Sequence, residues 1–296
     1  MLPKFLAKRG VMLDLEAQIE SGSECTASPR LQRMFGRGFA SVHAVSGRIR
    51  LKDLHQSGSA KVFLPKIHAP TPEIVFLNTS GGVTGGDHIS YGLDVGAGAR
   101  VNATTQTAER AYQSVSGTGR VDVNLTVGDG ARLDWLPQET ILFEGSNMAR
   151  KTLVDLASDA EFLMVETVIL GRAAMGETLV NATFSDWREV RVNGRPEWIE
   201  PFALDKRNFT HPKRAATLSG ARALATIALF APQAQDALGP VRSILSTFSD
   251  VTAAASGWNG RLIIRLFADD GWPLQRVVAK VLNELRVDPL PRVWQK

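Results

Sequence analysis

Three segments of the chain carry one pattern, and that pattern limits the fold more than any other feature. Val95 opens VGAGARVNATTQ, Val127 opens VGDGARLDWLPQ and Leu156 opens LASDAEFLMVET. With Ala99, Ala131 and Ala160 aligned, the copies are offset by 32 and 29 residues. Each reads as strand, tight turn (AGA, DGA or SDA) and strand. One such unit cannot bury its apolar side alone. The recurrence therefore predicts stacked β-units that share a continuous core. Successive hairpins in an ordinary sandwich are the alternative.

The flanking sequence agrees with a mainly β chain. FASVHAV and GRIRL, within Gly36 to Leu51, alternate in character, Ala60 to Leu64 is a short strand ended by Pro65, and EIVFL (Glu73 to Leu77) suits a buried strand. Phe184 to Val192, Ala221 to Phe230 and Arg261 to Phe267 also read as strands. Two stretches read as helices, both towards the C-terminus. Pro232 to Phe248 has an apolar face that Gly239-Pro240 is expected to divide. Pro273 to Arg286 places Leu274, Val277, Val278, Val281, Leu282 and Leu285 on one face, with Asp269 and Asp270 just upstream. Residues 1–29 read as an N-terminal extension, with a short helix over Leu2 to Gln18 and a turn-like SGSECTASP. Residues 30–296 read as one β-rich domain.

Bulk properties exclude several classes. The net charge is +4, but 34 basic and 30 acidic residues are interspersed, which argues against a nucleic-acid binder. No apolar run approaches the roughly 18 residues that span a bilayer, so no membrane role is expected. The single cysteine, Cys25, forms no intrachain disulfide, and no secretory signal stands out, so a cytoplasmic protein is expected.

No catalytic motif stands out. His43, His55, His68, His88 and His211 have no metal-ligand spacing. The glycine run Ser80 to Asp87 lacks the GK[ST] ending of a phosphate loop, so it reads as a tight bend where backbones approach closely. A GxSxG nucleophile elbow is absent. What remains is a set of carboxylates in apolar or β surroundings: Asp87, Glu109, Glu139, Glu166 and Glu177. Glu166, in FLMVETVIL, shares a strand face with Phe162, Met164 and Val168. A carboxylate there is costly to bury without a partner. A buried ion pair with an arginine such as Arg110 or Arg172 is one solution; a water-filled cavity or a metal is another.

These segments resemble the UreD (UreH) family of urease accessory proteins. The resemblance rests on SPRLQR (Ser28 to Arg33), LNTSGGVTGGD (Leu77 to Asp87), GARVNATTQTAERAYQS (Gly98 to Ser114) and GARLDWLPQETILFEG (Gly130 to Gly145). It continues with VDLASDAEFLMVETVILGRAAMGE (Val154 to Glu177) and LPRVWQK (Leu290 to Lys296). The resemblance implies a right-handed superhelical, solenoid-like stack of strands with a few helices. It implies a non-catalytic protein that binds UreF, reaches UreG through UreF, and docks on apo-urease. It also implies no tightly bound cofactor, with nickel as a transient cargo that moves along an internal route. Asp87, Glu109, Glu139, Glu166 and Glu177 are the candidate route-lining residues, Glu139 and Glu166 foremost. The C-terminal helix and tail are a candidate docking face.

Overall fold

The structure, a computed structural model, describes residues 32–66, 71–214 and 217–295. The expected N-terminal helix, Cys25 and His68 lie outside the described residues. The chain begins its β-structure with a hairpin, β1 (Phe35–Val45) and β2 (Arg48–Gly58), turned by Ser46 and Gly47 at positive φ. Then come β3 (Ala60–Phe63), β4 (Glu73–Asn78), β5 (His88–Val95), β6 (Arg100–Thr105) and β7 (Glu109–Ala111). They are followed by β8 (Gly119–Val127), β9 (Arg132–Trp135), β10 (Thr140–Leu142), β11 (Asn147–Leu156) and β12 (Glu161–Leu170). The remainder is β13 (Thr183–Val192), β14 (Arg195–Leu204), α1 (Lys206–Thr210), β15 (Ala223–Phe230), α2 (Leu238–Leu245), β16 (Thr252–Trp258), β17 (Arg261–Ala268) and α3 (Gly271–Glu284).

The repeat is a solenoid rather than a series of hairpins. In each copy the strand before the turn enters one sheet and the strand after it enters the other. A seven-stranded sheet runs β14-β13-β11-β8-β5-β1-β2, and a larger sheet runs β16-β17-β15-β12-β9-β6-β4-β3, with β10 paired to β12 and β7 to β10. Strands β1, β5, β8, β11 and β13 pair in parallel, as do β4, β6, β9 and β12. The alignment drawn from the sequence is the physical register: Arg100 pairs with Arg132, and Arg132 with Glu161. The three turns close alike, with Ala99, Ala131 and Ala160 each donating its N–H to the carbonyl three residues back.

Two cores result. Valines, leucines and aromatics from both sheets fill the space between them, with Phe76, Trp135, Phe162 and Phe184 fully buried. A second core lies on the outer face of the larger sheet, where Leu163 and Val165 of β12 meet Leu274, Val277, Val278, Val281 and Leu282 of α3. Strand β12 is thus buried on both faces, which explains its unbroken apolar run. The helix α3 starts two residues before Pro273. Asp270 caps it by accepting from Trp272 N–H at 2.9 Å. The stretch Pro232 to Phe248 divides just before Gly239-Pro240, into a 3-10 turn at Ala234–Ala237 and the helix α2. Pro240 lies in its first turn, where a missing N–H leaves no helical bond unmade. The short α1, with its Asp205 cap, carries no apolar period long enough to read in the sequence. The C-terminal tail is pinned to the repeats: Arg286 Nε donates to Asp134 at 2.6 Å, Arg286 Nη2 to Asn102 at 2.8 Å, and Trp294 Nε1 to Leu136 O at 3.0 Å. Among the described residues no helix is long and apolar enough to cross a membrane.

The two ends of the sandwich differ. At one end the strands are joined by short turns at 96–99, 128–131 and 157–160. At the other, the longer connections 79–87, 106–118, 136–146 and 171–182 stack on one another. The glycine run, TTQTAE, LPQETILF and LGRAAMGE all reach this second end. Its glycines are there for space. A Cβ on Gly82 would fall inside 3.0 Å of Arg110 O and the Tyr112 ring, and one on Gly85 inside 3.0 Å of Ser114 Oγ and Ser116 O.

Candidate functional site

The inward face of β12 presents Phe162, Met164, Glu166 and Val168 to the seven-stranded sheet. Glu166 is 2% exposed. Its partner is neither Arg110 nor Arg172 but Arg150, from β11 in the facing sheet, with Nη1 2.5 Å from Glu166 Oε2. Position along the chain does not say which strand lies opposite, and Arg172 is taken by Glu177, five residues along its own loop. Trp135 Nε1 approaches the other Glu166 oxygen at 3.4 Å.

Arg150 begins a buried relay of alternating charge. Its Nε and Nη2 donate to Asp186 at 3.0 and 2.6 Å, and its Nη1 donates to Thr140 Oγ1 at 3.1 Å. Asp186 also accepts from Arg188 Nε and Nη2 at 2.8 and 2.6 Å. Arg188 Nη1 reaches Glu200 at 3.2 Å, and Glu200 pairs in turn with Arg265. Burial works against the Asp186 carboxylate, but Arg150 and Arg188 hold its pKa below the ordinary value. Burial wins at Glu166, whose carboxyl is pushed up against the pull of Arg150.

Three small cavities follow one another between the sheets and share lining residues. The first, about 20 Å³, lies among Asn78, Gly81, Tyr91, Thr105, Thr107 and Glu109, with Gly81 and Thr107 on the surface. The second, about 30 Å³, takes in Tyr91, Thr105, Glu109, Gln138, Arg150 and Glu166. The third, about 70 Å³, is bounded by Glu166, Arg188, Glu200, Thr226 and Arg265. Glu109 therefore belongs to the first two, and Glu166 to the last two. The row crosses the strands from the β4 side of the larger sheet toward β17.

The five carboxylates picked from the sequence do not form one group. Glu109 and Glu166 meet in the middle cavity. Asn78 Nδ2 donates to both Glu109 oxygens at 3.1 and 3.3 Å, and burial raises the Glu109 carboxyl to about 7. Asp87 ties a loop to a strand entry, accepting from Met34 N–H at 2.8 Å and Thr84 N–H at 2.9 Å. Glu177 clamps its own loop, accepting from Arg172 Nε, Nη2 and N–H, each at 2.9 Å, and from Glu144 N–H at 3.2 Å. Glu139 is on the outer side of the sheet, in a groove of about 280 Å³ with Ile141, Ile169, Trp272 and Trp294. Gln138, Arg150, Asp186, Arg188 and Glu200 were not among the residues picked. They join the row only because the solenoid brings distant strands together. Among the described residues no group of three or more His, Cys, Asp or Glu side chains converges as a metal cage.

Comparison with known proteins finds a family match over most of the chain. Residues 36–295 match the family described as UreD urease accessory protein. Urease accessory protein UreD of Cereibacter sphaeroides (strain ATCC 17025 / ATH 2.4.3) is 56% identical over 265 residues, spanning 90% of this chain and 96% of the relative. The protein of the same name in Paracoccus denitrificans (strain Pd 1222) is 48% identical over 272 residues, spanning 92% and 96%. That of Rhizobium leguminosarum bv. trifolii (strain WSM2304) is 41% identical over 269 residues, spanning 90% and 97%. With a match that runs through every strand of the solenoid and over nearly the full length of its relatives, the chain belongs to the UreD family of urease accessory proteins.

Proposed function

We propose that this chain is a non-catalytic cytoplasmic scaffold of urease maturation. It binds UreF, reaches UreG through UreF, docks on apo-urease, and passes nickel along the row of cavities between its sheets. The observation that carries this reading is the sharing of Glu109 and Glu166 by successive cavities. A conduit must hold an ion well enough to admit it and weakly enough to release it. Carboxylate and carbonyl oxygens do this for nickel, whereas clustered thiolates and imidazoles bind it more tightly. Nickel is then cargo rather than a resident cofactor. Asp87 and Glu177 support the route by fixing the loops at its end, and Glu139 faces the outer groove.

The test is co-expression of the chain with UreF, UreG and apo-urease, followed by purification and a urease assay with and without the chain. The expected result is co-purification and chain-dependent activity, with Glu109→Gln retaining assembly and losing most activation. No association, and urease activity indifferent to the chain, would sink the proposal.

A further inference from the structure

The middle cavity holds a side chain that the fold leaves unsatisfied. Gln138 is 6% exposed, its terminal amide nitrogen has no hydrogen-bond partner, and it lines the cavity shared by Glu109 and Glu166. Its backbone is well placed, with Gln138 N–H donating to Thr105 Oγ1 at 2.9 Å. The orphaned group is the side chain alone. A buried amide without a partner is destabilising, so its presence points to an occupant.

The surrounding charges say which kind. Among the described residues Arg150 is the one cation lining this cavity, and its donors are spent on Asp186, Thr140 and Glu166. Glu109 is not spent in this way. It accepts from Asn78 Nδ2 and from the Arg110 backbone N–H, while a carboxylate offers about four acceptor positions. Free acceptors and committed donors favour a cation over an anion. A half-turn of the Gln138 amide exchanges Nε2 for Oε1 at the same place, which supplies a carbonyl ligand. The cavity of about 30 Å³ has room for about two waters by the measure in which one water takes about 10–15 Å³. A fully hydrated dication does not fit that space.

We propose that this cavity is a transient site for one partly dehydrated divalent cation, held by the Glu109 carboxylate and the Gln138 amide oxygen, with the Arg150–Glu166 pair closing its far side. This rests on the conduit reading and gives it a specific stopping place. The ion exchanges most of its waters for protein oxygens there. Arg150 keeps Glu166 from becoming a second strong ligand, so the ion is not trapped.

The experiment is titration of the full chain with Ni²⁺ alone, read by equilibrium dialysis and metal analysis, for wild type, Gln138→Leu and Glu109→Gln. Thermal melts of each variant are run without metal. The expected result is affinity reduced on the order of tenfold by Gln138→Leu, the size of effect typical of groups supporting a metal site. Its melting temperature stays level or rises, because an unpaired buried amide has been removed. Nickel affinity unchanged in Gln138→Leu overturns the site. So does a metal-free melt that drops sharply, which would make Gln138 a structural residue. Urease activation by the same variants separates the two proposals. Loss of nickel binding with full activation keeps the site and removes the conduit. Activation that needs Glu109 while nickel binding ignores Gln138 keeps the conduit and removes the site.

Discussion

Asp186 shows how this interior holds charge. It takes four hydrogen bonds from two arginines, and the relay continues in both directions to Glu166 and Glu200. Removing a single member of such a buried set costs about 3–5 kcal/mol, because its partner is left uncompensated. Glu177 is the contrasting case at the surface. The Arg172 guanidinium, helped by two backbone N–H groups, holds its carboxyl at about 2, against an ordinary value of 4.5. Its native pKa is depressed, so the unfolded chain takes up this proton first as pH falls. The stabilisation is complete above about 4.5 and is lost as pH falls toward 2. Because Arg172 is half exposed, solvent screening keeps the contribution well below what the pairing would give if buried. Glu177→Gln is expected to lower the melting temperature at pH 7, with the gap from wild type narrowing steadily toward pH 3. A gap independent of pH contradicts the pairing. At this scale the sequence marks that Glu166 needs a partner, but not which one. Arg150 is sixteen residues upstream and becomes a neighbour only through the stacking of two sheets. Gln138 closes the second repeat copy, but an uncharged side chain beside Pro137 does not stand out among the carboxylates.

The elements were legible wherever a period or a repeat was present. The turns of the three copies, the register of β6, β9 and β12, and the apolar stripe of α3 all follow from spacing. What spacing misses is partnership. The same strand–turn–strand text fits a hairpin or a crossover, and only parallel pairing across both sheets separates them. The proline of α2 is a smaller instance: Gly239-Pro240 reads as a break in mid-helix but sits at its start, so the boundary rather than the rule was displaced. The start of α3 depends on Asp270, whose side chain satisfies one of the free N–H groups of the first turn. Asp270→Ala is expected to cost about 1 kcal/mol, typical of a lost N-cap, in a denaturant melt. A change within about 0.3 kcal/mol would mean that packing of Leu274 and Val278 alone fixes the start, and that the cap gives less than its usual share.

On the scale of the whole molecule, the solenoid separates two tasks. Short turns at one end need only small residues and the right dihedrals. The stacked long connections at the other end hold Asp87 and Glu177 as fasteners, and the first cavity of the row lies beside exposed Gly81 and Thr107. This separation also makes the interior testable without dismantling the protein. Replacing a buried ion pair by apolar side chains of similar volume is often neutral or stabilising, and Arg188 still compensates Asp186 when Arg150 is gone. The deciding measurement is the nickel content of urease matured with Arg150→Met/Glu166→Met, in a complex shown to assemble. If metal moves through the interior, that urease will be assembled, nickel-poor and inactive. Urease filled with nickel to the wild-type level would mean that the metal does not travel between these sheets.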